Sequence, residues 1–261
     1  METIKTILIA FLFACCVEAG EPDPVLHNKC LYPTVMIENN SHVDEMQGTG
    51  TGVIVKSEEQ KGKWINYVLT ASHVLNKTPK HLCYLAGPDV PPTLVEEKYE
   101  YIVKVGVYED WSVLKELKEY ECEVIHVEKE KVGVALIKFI SKKEMPCAEI
   151  DKDLKVYLGN EVVKVGCGIG ESFRLDYGVV TSLPASTGLK LAQNVYRISA
   201  PTTVGDSGGP VYHEGKLIAL AEAVAGQPLP PLPINVPLPH IAYAVPVERA
   251  LNCKEIAKYI K

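Results

Sequence analysis

Little in this chain points toward nucleic acid, metal or a lipid bilayer. Aromatic residues make up only 7%, and just four of them are Phe. After the first twenty residues no apolar run approaches the roughly 20 residues that a membrane-spanning helix needs. Positive charge is in deficit: 27 Lys and Arg stand against 33 Asp and Glu, for a net charge of -6. That balance argues against a nucleic-acid binder, which needs a basic face to meet phosphates. No cofactor is expected, and the cysteines form no CxxC pair or zinc-type cluster. Long amphipathic helical patterns are missing from the middle of the chain. What is present is 47% hydrophobic and 23% charged residues, with 19 Gly and 18 Pro in 261 positions. Those proportions belong to a folded globular chain with enough length for a real core.

The N-terminus reads as an export signal. Met1 to Lys5 is a short, singly basic start, Thr6 to Val17 is a 12-residue apolar stretch, and Val17-Glu18-Ala19 suits peptidase cleavage before Gly20. Residues 1–19 are thus expected to be a signal peptide and 20–261 the working domain, secreted or periplasmic. A second route is lipidation, because Leu12-Phe13-Ala14-Cys15 resembles a bacterial lipoprotein box that would leave Cys15 acylated. Six cysteines then remain: Cys30, Cys83, Cys122, Cys147, Cys167 and Cys253. They permit up to three disulfides, and each also reads as a buried free thiol.

Beyond the leader, short runs rich in β-branched residues recur between turn residues: Gly52 to Val55, Ile65 to Leu69, Tyr101 to Val107, Glu123 to Val127, Val134 to Ile140, Glu161 to Val165, Val179 to Thr181, Gly209 to Tyr212, Leu217 to Ala221 and Ile241 to Val245. Many short strands predict a barrel or sandwich. The polar stretch Lys142 to Lys155, broken by Pro146, divides them into halves. Val247 to Ile260 predicts one C-terminal helix with Ala250, Cys253, Ala257 and Ile260 on its apolar face. Six prolines between Pro228 and Pro239 predict an extended, stiff loop at 227–239, a surface feature or a contact for another protein.

Gly205-Asp206-Ser207-Gly208-Gly209-Pro210 carries the chemistry. Its glycines open dihedrals closed to other residues. Such a turn can aim the Gly205 and Ser207 amides at one point as an oxyanion hole. The same residues fit the looser Gly-x-Ser-x-Gly elbow, but that motif needs a helix after the serine, and Pro210-Val211-Tyr212 reads as strand. A serine nucleophile needs a base. Among seven histidines, His73 stands out in Ala71-Ser72-His73-Val74, directly after the strand-like Val68-Leu69-Thr70.

Together, Thr70 to Val74 and Gly205 to Pro210 resemble the histidine and serine motifs of trypsin-like serine peptidases. Gly50-Thr51-Gly52-Val53-Ile54, Val165-Gly166, Tyr177 to Ser182 and Ala244-Val245-Pro246 resemble the HtrA-type branch, without a PDZ domain following. The resemblance spans roughly residues 46–250. It implies an all-β fold of two antiparallel six-stranded barrels, the first at about 30–145 and the second at about 155–246, with a short helix at 247–260 and the site between the barrels. It further implies His73 as general base, Ser207 as nucleophile and the Gly205 and Ser207 amides as oxyanion hole, acting on a peptide or protein substrate.

One position departs from the family's pattern. The triad acid would precede Val134-Ala135-Leu136-Ile137-Lys138 and so fall at Gly133, which has no side chain. Three readings stay open: a relocated acid at Glu222, a nearby acid at Glu128 or Glu130, or an inactive relative that binds protein. Glu222 lies in the apolar run Leu217 to Val224, where an unpaired charge is costly. For specificity, Pro201, Thr202, Thr203, Val204, Ala223 and Val224 offer no charge to a substrate side chain. Cleavage after small or medium apolar residues is expected.

Overall fold

The structure is a computed structural model that describes residues 23, 26–41, 47–75, 81–84, 93–96, 99–109, 113–128, 132–153, 155–184, 194–228 and 235–261. The expected signal peptide 1–19, Cys15 and Glu130 lie outside the described residues, as do positions 229–234.

A helical turn at His27–Leu31 leads into β1 (Thr34–Ser41), β2 (Gln47–Gln60), β3 (Lys63–Ala71) and the one-turn α1 (Ser72–Leu75). After a separate small sheet of β4 (His81–Tyr84) and β5 (Thr93–Glu96) come β6 (Tyr99–Glu109), β7 (Val113–Val127) and β8 (Val134–Ser141). The second half holds β9 (Glu161–Gly166), β10 (Arg174–Ser182), β11 (Tyr196–Ile198), β12 (Pro210–His213), β13 (Lys216–Pro228) and β14 (Asn235–Pro246). Then follow α2 (Glu248–Asn252) and α3 (Lys254–Ile260). Strands β1-β2-β3-β8-β7-β6 close one six-stranded antiparallel barrel and β10-β11-β14-β13-β12-β9 a second. The all-β double barrel implied by the motifs is the fold observed.

Burial explains why the strands read as continuous apolar runs rather than alternations. In β2, β3 and β8, the side chains of Ile54, Val68 and Ile137 fill the first barrel. Their neighbours Val53, Leu69 and Leu136 turn outward into a cluster shared with Val165, Tyr212, Leu217 and Val245 of the second barrel. Both faces are dry, so both must be apolar. That shared cluster fixes one barrel against the other.

Two expectations are corrected, and for the described cysteines one of two open readings is decided. The C-terminal segment is two helices, not one: Cys253 is extended at φ -74 and ψ 113, and its carbonyl receives the Ile256 and Ala257 amides. The break lets both Ala250 and Ile256 reach 0% exposure. Six residues apart on a straight helix, they would face about 120° away from each other. Next, the Pro-rich segment forms backbone strand pairs, Gly226↔Pro237, Gln227↔Val236 and Pro228↔Asn235, at the end of the β13–β14 ribbon. Only two strands meet there, so a proline's missing N–H costs no ladder bond on an open side. Last, the cysteines whose side chains are described, Cys30, Cys122, Cys147, Cys167 and Cys253, are all free. Burial pushes the Cys30, Cys122 and Cys167 thiols up to about 12.

Candidate active site

His73 stands where β3 gives way to α1. Its neighbours Ser72 and Val74 are buried, while the His73 side chain keeps 43% of its surface and faces the gap between the barrels. The Ser72 amide donates to the Gly133 carbonyl at 2.9 Å, anchoring the turn to the strand opposite. Ser207 arrives from the second barrel on a loop that only glycine allows. Gly205 has φ +99, and a Cβ there would lie 2.6 Å from the Cys167 carbonyl oxygen. Gly208 has φ +83, and a Cβ there would collide with Thr70 Oγ1 and the Thr51 carbonyl. Val204 C=O accepts the Ile169 amide at 2.7 Å. Because the peptide is planar and trans, that bond turns the Gly205 N–H the opposite way, away from Ile169.

Glu222 lies on β13 at a break in register, between the pairs Ala221↔Ala244 and Ala223↔Tyr243. A bulge inserts one residue and re-aims its side chain. Glu222 is 4% exposed, and its Oε1 lies 3.0 Å from His73 Nδ1. Its second oxygen, Oε2, is buried with no hydrogen-bond partner among the described residues. The Ser207 hydroxyl donates to the Glu222 backbone carbonyl at 3.2 Å. Glu128 is engaged elsewhere: its Oε2 accepts from Arg249 Nε at 2.6 Å and from the Val134 amide at 3.1 Å. A Cβ on Gly133 would sit 2.9 Å from that same oxygen. The carboxylate of Glu128 therefore fills the space beside Gly133 and is held by Arg249 rather than by His73. His73, Ser207, Gly205 and Val204 share one cavity of about 420 Å³ with Asn39, Gly48, Thr49, Val74, Ile169 and Gly170.

Residues 50–220, more than half of the chain, match the trypsin-like peptidase domain. The chain belongs to the trypsin-like peptidase family. Among solved structures, it is similar to the HtrA-type protease AlgW, in an alanine-for-serine variant with a tripeptide. The TM-score is 0.62 at 18% identity, covering 91% of this chain and 62% of that one. The chain thus spans less than two thirds of that protein's length, and the likeness is one of fold. A search of curated protein sequences finds no match.

Within this trypsin-like frame a buried ion cluster lies behind the serine loop. Asp206 is fully buried and takes Lys164 Nζ at 2.6 Å, Arg174 Nη2 at 3.2 Å and the Thr203 amide at 2.8 Å. Lys164, also at 0% exposure, reaches Asp176 at 3.0 Å. Thr51 ties the loop to the first barrel. Its amide donates to the Ser207 carbonyl at 2.8 Å and its hydroxyl to the Gly205 carbonyl at 2.8 Å, while accepting the Cys167 amide at 3.0 Å. Sequence reasoning assigned no role to Thr51, Lys164, Arg174, Asp176 or Ile169. A lone Lys inside Val162-Val163-Lys164-Val165 was the available signal, since a buried ammonium demands a partner.

Of the expected substrate-binding residues, only Val204 lines the shared cavity. Thr202 is buried and donates to the Ala200 carbonyl at 3.1 Å, Pro201 is half-buried, and Thr203 holds Asp206. Ala223 is exposed and Val224 half-buried on β13, beyond Glu222. Away from the cavity, His126, Cys253 and Glu255 bring potential metal-ligand atoms within 4.8 Å of one another, but Glu255 is open to solvent.

Proposed function

We propose that this peptidase-family chain is an exported serine endopeptidase working through an acyl-enzyme, with Glu222 replacing the acid missing at Gly133. The observation that carries the reading is the 3.0 Å contact between Glu222 Oε1 and His73 Nδ1. A carboxylate there holds the tautomer that leaves Nε2 free as a base and stabilises the imidazolium that follows. Ser207 Oγ attacks the substrate carbonyl and passes its proton to His73. The oxyanion rests on the Gly205 and Ser207 amides, and His73 returns the proton to the departing amine. Water then repeats the sequence on the acyl ester. In the free enzyme the Ser207 hydroxyl faces the Glu222 carbonyl, so a side-chain rotation toward His73 precedes attack, a common looseness without substrate. Export rests on the leader at residues 1–19. The uncharged Pro201, Thr202, Thr203, Ala223 and Val224 favour small or medium apolar residues on the acyl side.

Gly133 and the Ser207 hydroxyl turned to the Glu222 carbonyl favour a second reading, a peptide-binding relative without catalysis. Labelling with a serine-directed fluorophosphonate separates the two. The expected result is labelling of the wild type and none of Ser207→Ala. Absence of Ser207-dependent labelling from pH 6 to 9, with peptide binding retained, overturns the enzyme reading.

A further inference from the structure

Val204 at 80% and Ile169 at 75% are the most exposed large apolar side chains among the described residues. Both stand on the rim of the cavity that holds His73 and Ser207. Ile169 is also strained: its φ of +61 is in the left-handed region, which a β-branched side chain rarely adopts. Folding gains nothing from an isoleucine that is both strained and wet. Asn or Gly would relieve the backbone, and a polar side chain would suit the solvent. An isoleucine that breaks both rules, beside an exposed valine on the same catalytic rim, points to an occupant that buries them.

The side of the scissile bond follows from the position of Ser207. One flank is β13, where the Glu222 carbonyl accepts the Ser207 hydroxyl and Ala223 and Val224 follow. The cavity lies on the other flank, walled by Asn39, Gly48 and Thr49 of the first barrel, and includes neither Ala223 nor Val224. With the acyl half of the substrate along β13, the cavity receives the leaving half. Apart from His73 no titratable side chain among the described residues lines it, so among them a charged substrate residue would be desolvated without a partner.

We propose that Ile169 and Val204 form the leaving-group subsite and select an apolar side chain just after the scissile bond. This rests on the peptidase reading above, and acyl transfer tests the two separately. A peptidyl nitrophenyl ester acylates Ser207 and releases nitrophenol. An amino-acid amide then attacks the ester carbonyl, its N–C bond forms, the bond to Ser207 Oγ breaks, and the amine proton passes through His73 to Oγ. The ratio of aminolysis to hydrolysis is read by chromatography for leucine amide against aspartate amide and lysine amide.

Leucine amide is expected to capture the acyl-enzyme at least about 10-fold better than either charged amide, in the range apolar pockets achieve. In Ile169→Asn, which keeps the left-handed backbone, and in Val204→Glu, that ratio should collapse toward 1, with lysine amide gaining in the second. Because the ratio is taken within each variant, a general loss of activity does not alter it. Equal capture of all three amides by the wild type overturns the subsite, as does an unchanged ratio in both variants. Absence of any nitrophenol burst overturns the peptidase reading and the subsite with it.

Discussion

Lys164→Met tests whether the ion cluster holds the catalytic loop. The ammonium lies 2.6 Å from Asp206 and 3.0 Å from Asp176, with Lys164 and Asp206 both at 0% exposure. Breaking a fully buried pair by removing one partner costs about 3–5 kcal/mol, because the other charge is left stranded. Here Arg174 and the Thr203 amide still reach Asp206, which places the expected loss near the lower end, about 3 kcal/mol. For a domain of this size that corresponds to a fall in melting temperature of about 6–12 °C. Asp206→Asn strands Lys164 less, since Asp176 remains beside it. The double variant removes both charges, so its loss should be smaller than the sum of the singles by about 1–3 kcal/mol. Function should suffer beyond stability. Asp206 sits between the Gly205 and Ser207 amides in sequence, so a loosened loop should slow fluorophosphonate labelling by about 10- to 100-fold, below the 10²–10³ for losing an oxyanion donor outright. Thermal melts and labelling rates on the three variants decide the matter. Additive single and double effects, or Lys164→Met melting within 2 °C of the wild type, would refute the argument.

Glu222→Gln should divide activity from stability. One oxygen of this buried carboxylate has no partner among the described residues, so the amide should hold or raise the melting temperature while kcat falls by about 10³–10⁴, the scale of losing a triad acid; unchanged kcat sinks Glu222 as the acid. Placing the acid at the family's usual position should fail: in Glu222→Ser/Gly133→Asp the new side chain meets Glu128 Oε2 2.9 Å from its Cβ. The expected outcome is lower stability and no recovery of labelling, and recovery to half the wild-type rate would contradict it. Alkaline unfolding should begin early. Burial raises Cys30, Cys122 and Cys167 from 9.0, and Tyr67 and Tyr101 from 10.0, to about 12 each. The unfolded chain therefore loses these protons first as pH rises. Their contribution is complete below pH 9 and is lost progressively toward pH 12. Urea midpoints that stay flat from pH 8.5 to 11 would exclude this account.

The barrels were legible because a strand buried on both faces must be apolar at nearly every position, and Val134-Ala135-Leu136-Ile137 can hardly be written otherwise. Two barrel strands with weaker signals, β1 and β11, escaped notice, as did the small pair β4 and β5. Thr34–Ser41 ends in polar Glu38, Asn39 and Asn40, and Tyr196–Ile198 is only three residues long. His73 and Ser207 were visible because backbone constraints surround them: the glycines at 205 and 208 are forced by φ and by neighbouring atoms. The contact between Glu222 and His73 is of another kind. It depends on a register break at Ala221/Ala223, and no residue type announces a bulge. Counting along the strand could put Glu222 near the histidine, but alternation alone could not say which face it takes. Gly133 shows the same limit from the other side. Its missing side chain was plain in the sequence, whereas the reason that space is closed, the Glu128–Arg249 pair, joins residues 121 positions apart. Local backbone demands leave marks on a sequence, and long-range charge placement leaves only the question of where each buried charge finds its partner. Lys164, Asp206 and Glu222 pose that question together, within two strands and one loop. Their answers decide whether the serine loop and the histidine are held as a catalytic unit.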